Sequence, residues 1–314
     1  MAIVAVAGGT GGVEKTIVED LQHHGAHKLF ILGRKAPADS TPWSPTFLVA
    51  NYSNVEALTT LLDDHKIDTV VSALNLETEA GGQSQLNLIA AADKSRTTRR
   101  FIPSEFVTPI DEDDPNSGPG MGGWIPNARA LKKTSLEYIR ISIGFFSDYW
   151  GMPHIKSNLK DFRWLLDIEK GIAVIPGSGN DKFTVTYSED LARFIARLID
   201  TDEKWPQHGF LSGSDISVNE LIAIAERIRG SKMDIIYDPI DKLERGDATI
   251  LWHPEDVTEE EFKPLLAGLC RMIVAGACIL PDDDRRLDKR FPDVPLTSVE
   301  EIIVKAWAGK SFSA

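Results

Sequence analysis

Residues 2–24, AIVAVAGGTGGVEKTIVEDLQHH, change their hydrophobic period partway along, and that change decides the fold. Residues 2–7 form a β-rich apolar run that stops at Gly8-Gly9-Thr10-Gly11-Gly12. Val13, Ile17 and Leu21 then recur every four residues, the spacing of one helix face. A Gly8-x-x-Gly11 pair between a strand and a helix lets the backbone approach a diphosphate. The free N–H groups of the first helical turn receive its charge. A glycine pattern alone is weak, but this one has a strand before it, a helix after it and a βαβ continuation. Gly8, Thr10, Gly11, Gly12 and Val13 are therefore the expected contacts. One departure stands out: Glu14 occupies the position of the pattern's third glycine. Turned to solvent it does little harm; turned inward it adds like charge and lowers affinity.

Working outward, strands are expected at 28–32, 46–49, 67–74 and 100–103, with helices at 13–23, 55–64 and 85–94. Strands and helices alternating at this spacing imply parallel pairing and a doubly wound α/β sheet. Residues 108–127 hold an acidic run, several glycines and prolines, and read as a long loop over the sheet. A helix over 128–140 and a strand over 141–146 follow. Beyond them the expected elements are helices at 159–169, 189–200, 218–229, 259–277 and about 299–307, with strands at 171–176, 182–186 and 233–237. This divides the chain into a dinucleotide-binding domain, 1–150, and a smaller α+β substrate lobe, 151–314, with 171–200 returning to the core.

Bulk composition narrows the function classes. The 34 basic and 47 acidic residues give a net charge of −13, and the pI is about 5.0. Such a surface repels phosphodiester backbones, so no nucleic-acid partner is expected. The basic run at 94–100 reads as a solvated helix end. No apolar run approaches about 18 residues, so no membrane span is expected, and the N-terminus reads as a buried strand and not as a signal peptide. Cys270 and Cys278 lack metal-ligand spacing and read as core thiols of a reducing, cytoplasmic protein.

The choice of dinucleotide turns on the end of the second strand. NAD-preferring sites place an acid there for the ribose hydroxyls. This chain has Gly33-Arg34-Lys35 and no acid nearby. Arg34 offers a planar fork and Lys35 a point charge to a 2′-phosphate, which favours NADP(H). Ligands of a doubly wound sheet lie beyond the carboxyl ends of its strands, which adds Ser72, Ala73, Leu74, Pro103, Ser104, Glu105 and Phe106 to the expected cofactor contacts. Ser104 and Glu105 are read as orienting groups, or Glu105 as the anchor of a loop. Trp124, Phe145, Phe146, Tyr149, Trp150, Met152 and His154 form an aromatic-rich set suited to a flat, apolar substrate, with part of the set in the core. His154 is a candidate proton donor. No Tyr-x-x-x-Lys pair, nucleophile elbow, His/Cys metal spacing or P-loop is present, and no metal is expected.

AVAGGTGG (residues 5–12), IDTVVSAL (67–74) and above all RRFIPSEF (99–106) resemble the NmrA-like and isoflavone-reductase-like atypical short-chain dehydrogenases. The segments KKTSLEYIR (132–140) and GFFSDYWG (144–151) resemble the fungal members, and the similarity runs through roughly the first 190 residues and includes the stretch IPGSGNDKFTVTYSEDLARFI. The resemblance implies a Rossmann-type core, a small substrate lobe and NADPH-dependent reduction of an aromatic or otherwise apolar secondary metabolite by a monomer or homodimer. It also implies a lysine near the nicotinamide, on the helix after the long loop. Lys133 matches that pattern, with Lys132 as the one-residue alternative, and partial burial beside a cofactor suits such a lysine to proton transfer. Two departures bear on activity: Val107 stands where a glycine is expected, and Arg140 runs directly into Ile141 without the usual glycine-containing turn. A second reading in a different class is a regulator that binds the dinucleotide, senses its redox state and docks on a protein partner.

Overall fold

The computed structural model describes residues 1–8, 11–35, 45–113, 123–255 and 257–312. Small and β-branched residues without charge make Ile3–Ala7 a strand, β1, whose last four residues are buried. In chain order there follow α1 (Val13–His24), β2 (Lys28–Gly33), β3 (Thr46–Val49), α2 (Val55–Asp64), β4 (Thr69–Ser72), α3 (Glu79–Lys94), β5 (Arg100–Ile102), α4 (Trp124–Leu131), β6 (Glu137–Tyr138) and β7 (Arg140–Ser142). The first six strands pair in the order β3-β2-β1-β4-β5-β6, and every pairing is parallel. Val4 lies between Leu29 on one side and Thr69 on the other. The chain winds outward from β1 to β3, then restarts on β1's other flank, so the topological switch lies between β1 and β4. This is the doubly wound α/β sheet expected from the sequence.

The described chain forms two compact units. The first comprises Met1–Ser142, Leu191–Phe210 and Asp283–Val294; the second comprises Ile143–Asp190, Leu211–Asp282 and Pro295–Ala314. In the first, Ala5, Ala7, Phe30, Leu32, Val70, Leu88 and Phe101 share one buried cluster, and β7 pairs in parallel with β12 (His208–Phe210). The second contains β8 (Phe145–Phe146), β9 (Leu166–Asp167), β10 (Ile172–Pro176), β11 (Lys182–Thr186), β13 (Ser214–Ser217) and β14 (Asp234–Asp238). They form two small sheets, β14-β10-β9 and β13-β11-β8. The helices of the later chain are α5 (Ser188–Asp200), α6 (Val218–Arg229), α7 (Ile240–Glu244), α8 (Glu259–Val274), α9 (Leu287–Arg290) and α10 (Val299–Trp307). Trp150, Trp164, Phe183, Leu221 and Phe262 belong to the core of this unit. No helix among the described residues is long and apolar enough to cross a membrane.

Four expected elements are corrected. α3 begins at Glu79, six positions before the expected start, because the Thr78 side chain caps it by accepting from Gly81 N. The helix expected over 128–140 is α4, which ends at Leu131 and gives way to β6 and β7. Its continuation is blocked by hydroxyls: Thr134 Oγ1 donates to Leu131 O, and both the N–H and the Oγ of Ser135 donate to Asp93 Oδ1. Ile139, between β6 and β7, Ile141, within β7, and Ile143, just after it, are all buried, and the strand expected over 141–146 is broken into β7 and β8 at Gly144, which has φ +70°. The helix expected over 159–169 is also absent. Leu165 has φ +61°, and β9 turns through Asp167, whose Oδ1 accepts from Lys170 N, into antiparallel β10.

Candidate functional site

Parallel registers bring the carboxyl ends of β1, β2, β4 and β5 to one edge of the sheet, and with them the segments after Ala7, Gly33, Ser72 and Ile102. Gly8 N donates to Leu32 O over 3.1 Å, and Ala73 N donates to Ala7 O over 2.7 Å. A Cβ on Gly8 would stand 3.1 Å from Ala73 O and 3.3 Å from Glu14 Cδ, so a side chain there would require its neighbours to shift by a few tenths of an ångström. Gly12, the N-cap of α1, has φ +64°. Its Cβ direction and that of Gly11 meet nothing within 4 Å among the described residues, beside the first N–H groups of α1. Val13 is half-buried as the first residue of the helix. Thr10 lies outside the described residues.

Arg34 and Lys35 are exposed at the end of β2. The ring of Phe47 lies across Gly33, where a Cβ would be 2.5 Å from its Cζ. Behind Arg34, Tyr52 is buried and its hydroxyl donates to Leu32 O over 3.0 Å. Burial pushes the Tyr52 phenol above its usual range; Glu14 acts in the same direction and Arg34 in the opposite one.

Glu14 turns inward. It is 3% exposed, its carboxyl carbon lies against Gly8, and its Oε2 is buried with no hydrogen-bond partner among the described residues. Burial pushes its carboxyl up to about 8. Of the two orientations open to it in sequence, the structure takes the inward one, which sets a carboxyl against Gly8.

The segment after β5 is tied down from within. Ser104 N donates to Gln85 Oε1 over 2.9 Å, and Pro103 and Phe106 are buried. Glu105 grips Arg140: the guanidinium Nε lies 2.9 and 2.8 Å from its two oxygens, and Nη2 lies 2.7 Å from Oε1. Arg140 also donates to Glu112 Oε2 and, over 2.8 Å, to Ile110 O. Burial raises Glu105 to about 7, while Arg140 acts in the opposite direction. Burial also opposes ionisation of Glu112, but its own backbone hydrogen bond and Arg140 outweigh it and hold that carboxyl at about 2. Of the two roles read for Glu105, the contacts are those of the loop anchor.

Ser72, an expected contact, and two side chains the sequence did not single out, Gln85 and Asn127, leave polar atoms buried without a partner among the described residues: Ser72 Oγ, Gln85 Nε2 and Asn127 Oδ1. Ser72 ends β4, and Gln85 supports Ser104. The Asn127 amide donates to Gly82 O and Gly123 O, which joins the start of α4 to α3. Only their pairing with partners distant in sequence reveals them. Ala73 and Leu74, next to Ser72, are half-buried.

Lys133 does not share this edge. It follows α4 and precedes β6, which runs parallel to β5. It is therefore at the amino edge, opposite the glycine turn, and it is exposed. Its neighbour Ser135 is bound to Asp93 near the end of α3, at that same edge. Lys132 caps α4 and pairs with Asp113 at 2.9 Å and Glu112 at 3.5 Å. The sequence reading placed both lysines on the helix because it ran α4 too long; neither stands by the glycine turn.

The expected substrate residues fall in different places. Trp124 opens α4 in the first unit and is half-buried. In the second unit Trp150 belongs to the core, with its Nε1 donating to Trp164 O. Phe145, Phe146, Tyr149 and Met152 are half-buried. The Phe146 and Tyr149 rings meet edge to face at 6.4 Å, and Phe145 meets Trp164 at 4.9 Å. His154 is exposed, its ring edge-on to Trp307 at 4.7 Å. Tyr149, Trp150 and Met152 border, with Arg163, Asp167 and Trp307, a cavity of about 10 Å³, which has room for a single water.

One polar cluster lies at the amino edge. His24 Nε2 is 2.8 Å from Asp200 Oδ2, and His27 Nε2 is 3.1 Å from Asp200 Oδ1. Ala2 N–H donates to His27 Nδ1, so the neutral ring carries its proton on Nε2, facing Asp200. That tautomer offers no lone pair to a cation at Nε2.

Comparison with known proteins agrees with this architecture. The NmrA-like family model matches residues 2–260. Oxidoreductase swnN of Metarhizium robertsii is 29% identical over 344 aligned residues, spanning 100% of both chains. Oxidoreductase BOA1 of Botryotinia fuckeliana is 34% identical over 233 residues, 74% of this chain and 77% of that one. The binary complex of leucoanthocyanidin reductase with NADPH from Vitis vinifera shares the fold, with a TM-score of 0.74 at 19% identity over 96% of this chain and 98% of that one.

Proposed function

The chain belongs to the NmrA-like family, and on that footing we propose that it is an NADP(H)-dependent oxidoreductase acting on an aromatic or otherwise apolar small molecule. The observation that carries this reading is the clearance at Gly11 and Gly12 among the described residues, with two exposed cations, Arg34 and Lys35, at the end of the adjacent strand. The oxidoreductase names of the fungal relatives and the NADPH of the grape reductase support it. When bound, the dinucleotide supplies a hydride equivalent. Gly8, Gly11, Gly12 and the first turn of α1 hold its diphosphate; Arg34 and Lys35 pair with its 2′-phosphate; and Ser72, Ala73, Leu74, Pro103 and Ser104 wall the same edge. Phe145, Phe146 and Tyr149, half-buried rings in the second unit, support an apolar, flat substrate.

Cofactor selection gives the first test. Replacing both Arg34 and Lys35 by alanine is expected to weaken NADPH binding by about 10–100-fold, the loss of one or two charge-assisted hydrogen bonds. NADH binding should change by less than about threefold on the same reasoning. Parallel losses for the two cofactors would remove the 2′-phosphate assignment.

Catalysis gives the second. Lys133→Ala is expected to leave NADPH oxidation with an identified substrate within about twofold of the parent, the range of a surface substitution. A loss beyond about 100-fold, the scale of a general acid or base, would return that lysine to the chemistry. The regulator reading keeps one observation in its favour: neither lysine stands by the glycine turn. NADPH binding without oxidation across a panel of aromatic ketones, enones and benzylic ethers would favour it.

A further inference from the structure

We propose that Glu14 couples dinucleotide binding to a proton, so that the diphosphate enters the glycine turn with the Glu14 carboxyl in its neutral acid form. The inference rests on the dinucleotide reading above and on the placement of this one side chain. Glu14 is the second residue of α1, after the Gly12 cap and Val13. An ionised carboxylate in a first helical turn is ordinarily stabilised by the helix dipole. Here the carboxyl is folded against Gly8, with Oε2 buried and unpartnered among the described residues, and no cation among those residues offsets its burial. Lys15, its chain neighbour, is exposed and pairs with Glu19 at 3.7 Å. Arg34, from the end of β2, is exposed and acts electrostatically on Tyr52, as Glu14 does. Tyr52, after β3, already spends its hydroxyl hydrogen on Leu32 O. From β1 and β4 come Gly8, Ser72 and Ala73, none of them charged.

Burial therefore favours the neutral acid, which titrates near 8 in the free protein. A diphosphate at the same helix end brings further negative charge into a poorly solvated place, so it pushes the carboxyl higher still. Linkage is reciprocal: whatever factor the dinucleotide adds to proton affinity, the proton adds to dinucleotide affinity. A glycine at this position, as in the usual pattern, has no such coupling. The chain retains binding near neutral pH and gives it up in alkali.

The test is direct titration of the full chain with NADPH, followed by nicotinamide fluorescence, from pH 6.5 to 9.5. Wild-type Kd is expected to be flat below about pH 7 and to weaken by up to about tenfold per unit above about pH 8, the limit for one linked proton. Glu14→Gln and Glu14→Gly are both expected to bind with a flat profile and to be tighter than wild type at pH 9.5. Calorimetry in buffers of different ionisation enthalpy should show proton uptake near pH 8 by the wild type and none by Glu14→Gln. The same alkaline slope in all three proteins, or a flat profile in the wild type, overturns the coupling and leaves the dinucleotide reading intact. Absence of NADPH binding by all three at pH 6.5 overturns the dinucleotide reading itself.

Discussion

Arg140→Met should destabilise the protein by about 3–5 kcal/mol, the cost of leaving a buried carboxylate without its counter-charge. The side chain is 2% exposed and bonded at once to Glu105, Glu112 and Ile110 O. Removing it strands Glu105, 3% exposed, inside the first unit. Glu112 suffers less, since Lys132 Nζ remains 3.5 Å away. The double variant Arg140→Met/Glu105→Leu should recover most of the loss, because replacing both members of a buried pair by apolar groups is often neutral. Denaturant unfolding of the four proteins of this cycle measures the coupling. Additive losses would mean that the pair is not held as described, and the segment after β5 would need another anchor.

Glu14→Gln should act in the other direction, and only in part of the pH range. An unfolded glutamate titrates near 4.5, and in the folded chain burial raises Glu14 to about 8. Between those values the folded state holds a proton that the unfolded state has lost, so wild-type stability falls as pH rises. The slope approaches about 1.4 kcal/mol per pH unit. Below about pH 4 the acid is neutral in both states and the two proteins should be equally stable with respect to this group. Above about pH 8 the difference is complete, and the glutamine variant should be more stable by about 2–5 kcal/mol, allowing for water reaching the carboxyl. Unfolding curves at pH 5, 7 and 9 decide it. A gap that does not widen over that range would place the carboxylate in water and remove the basis for proton-coupled binding.

What the sequence disclosed and what it concealed follow from the range of the interactions. The strand, glycine turn and helix of residues 2–24 are local, and each is written in consecutive residues; so is the pair Arg34-Lys35. Periodicity placed α2 at Val55–Asp64 and α10 at Val299–Trp307 as they stand. It failed at 128–140 because Lys132 and Lys133 read as a helix surface, while the residues that end the helix act through Asp93, 42 positions from Ser135. The alternation of Ile139, Ile141 and Ile143 was the available signal for the strand. Glu105 offered a similar ambiguity, since its partner Arg140 is 35 residues away. Orphaned atoms such as Asn127 Oδ1 and Gln85 Nε2 have no sequence signature at all, because they are defined by what surrounds them. Glu14 is intermediate: its odd position was legible as a missing glycine, but only the packing against Gly8 showed which way it turned.

The most direct test of the central claim is the affinity of the unmodified protein for the four nicotinamide dinucleotides at pH 7, measured by calorimetry without any substrate. NADPH and NADP⁺ are expected to bind about tenfold or more tightly than NADH and NAD⁺, as one good phosphate pairing requires. Equal affinities, a preference for the unphosphorylated pair, or no binding of any of the four would contradict it.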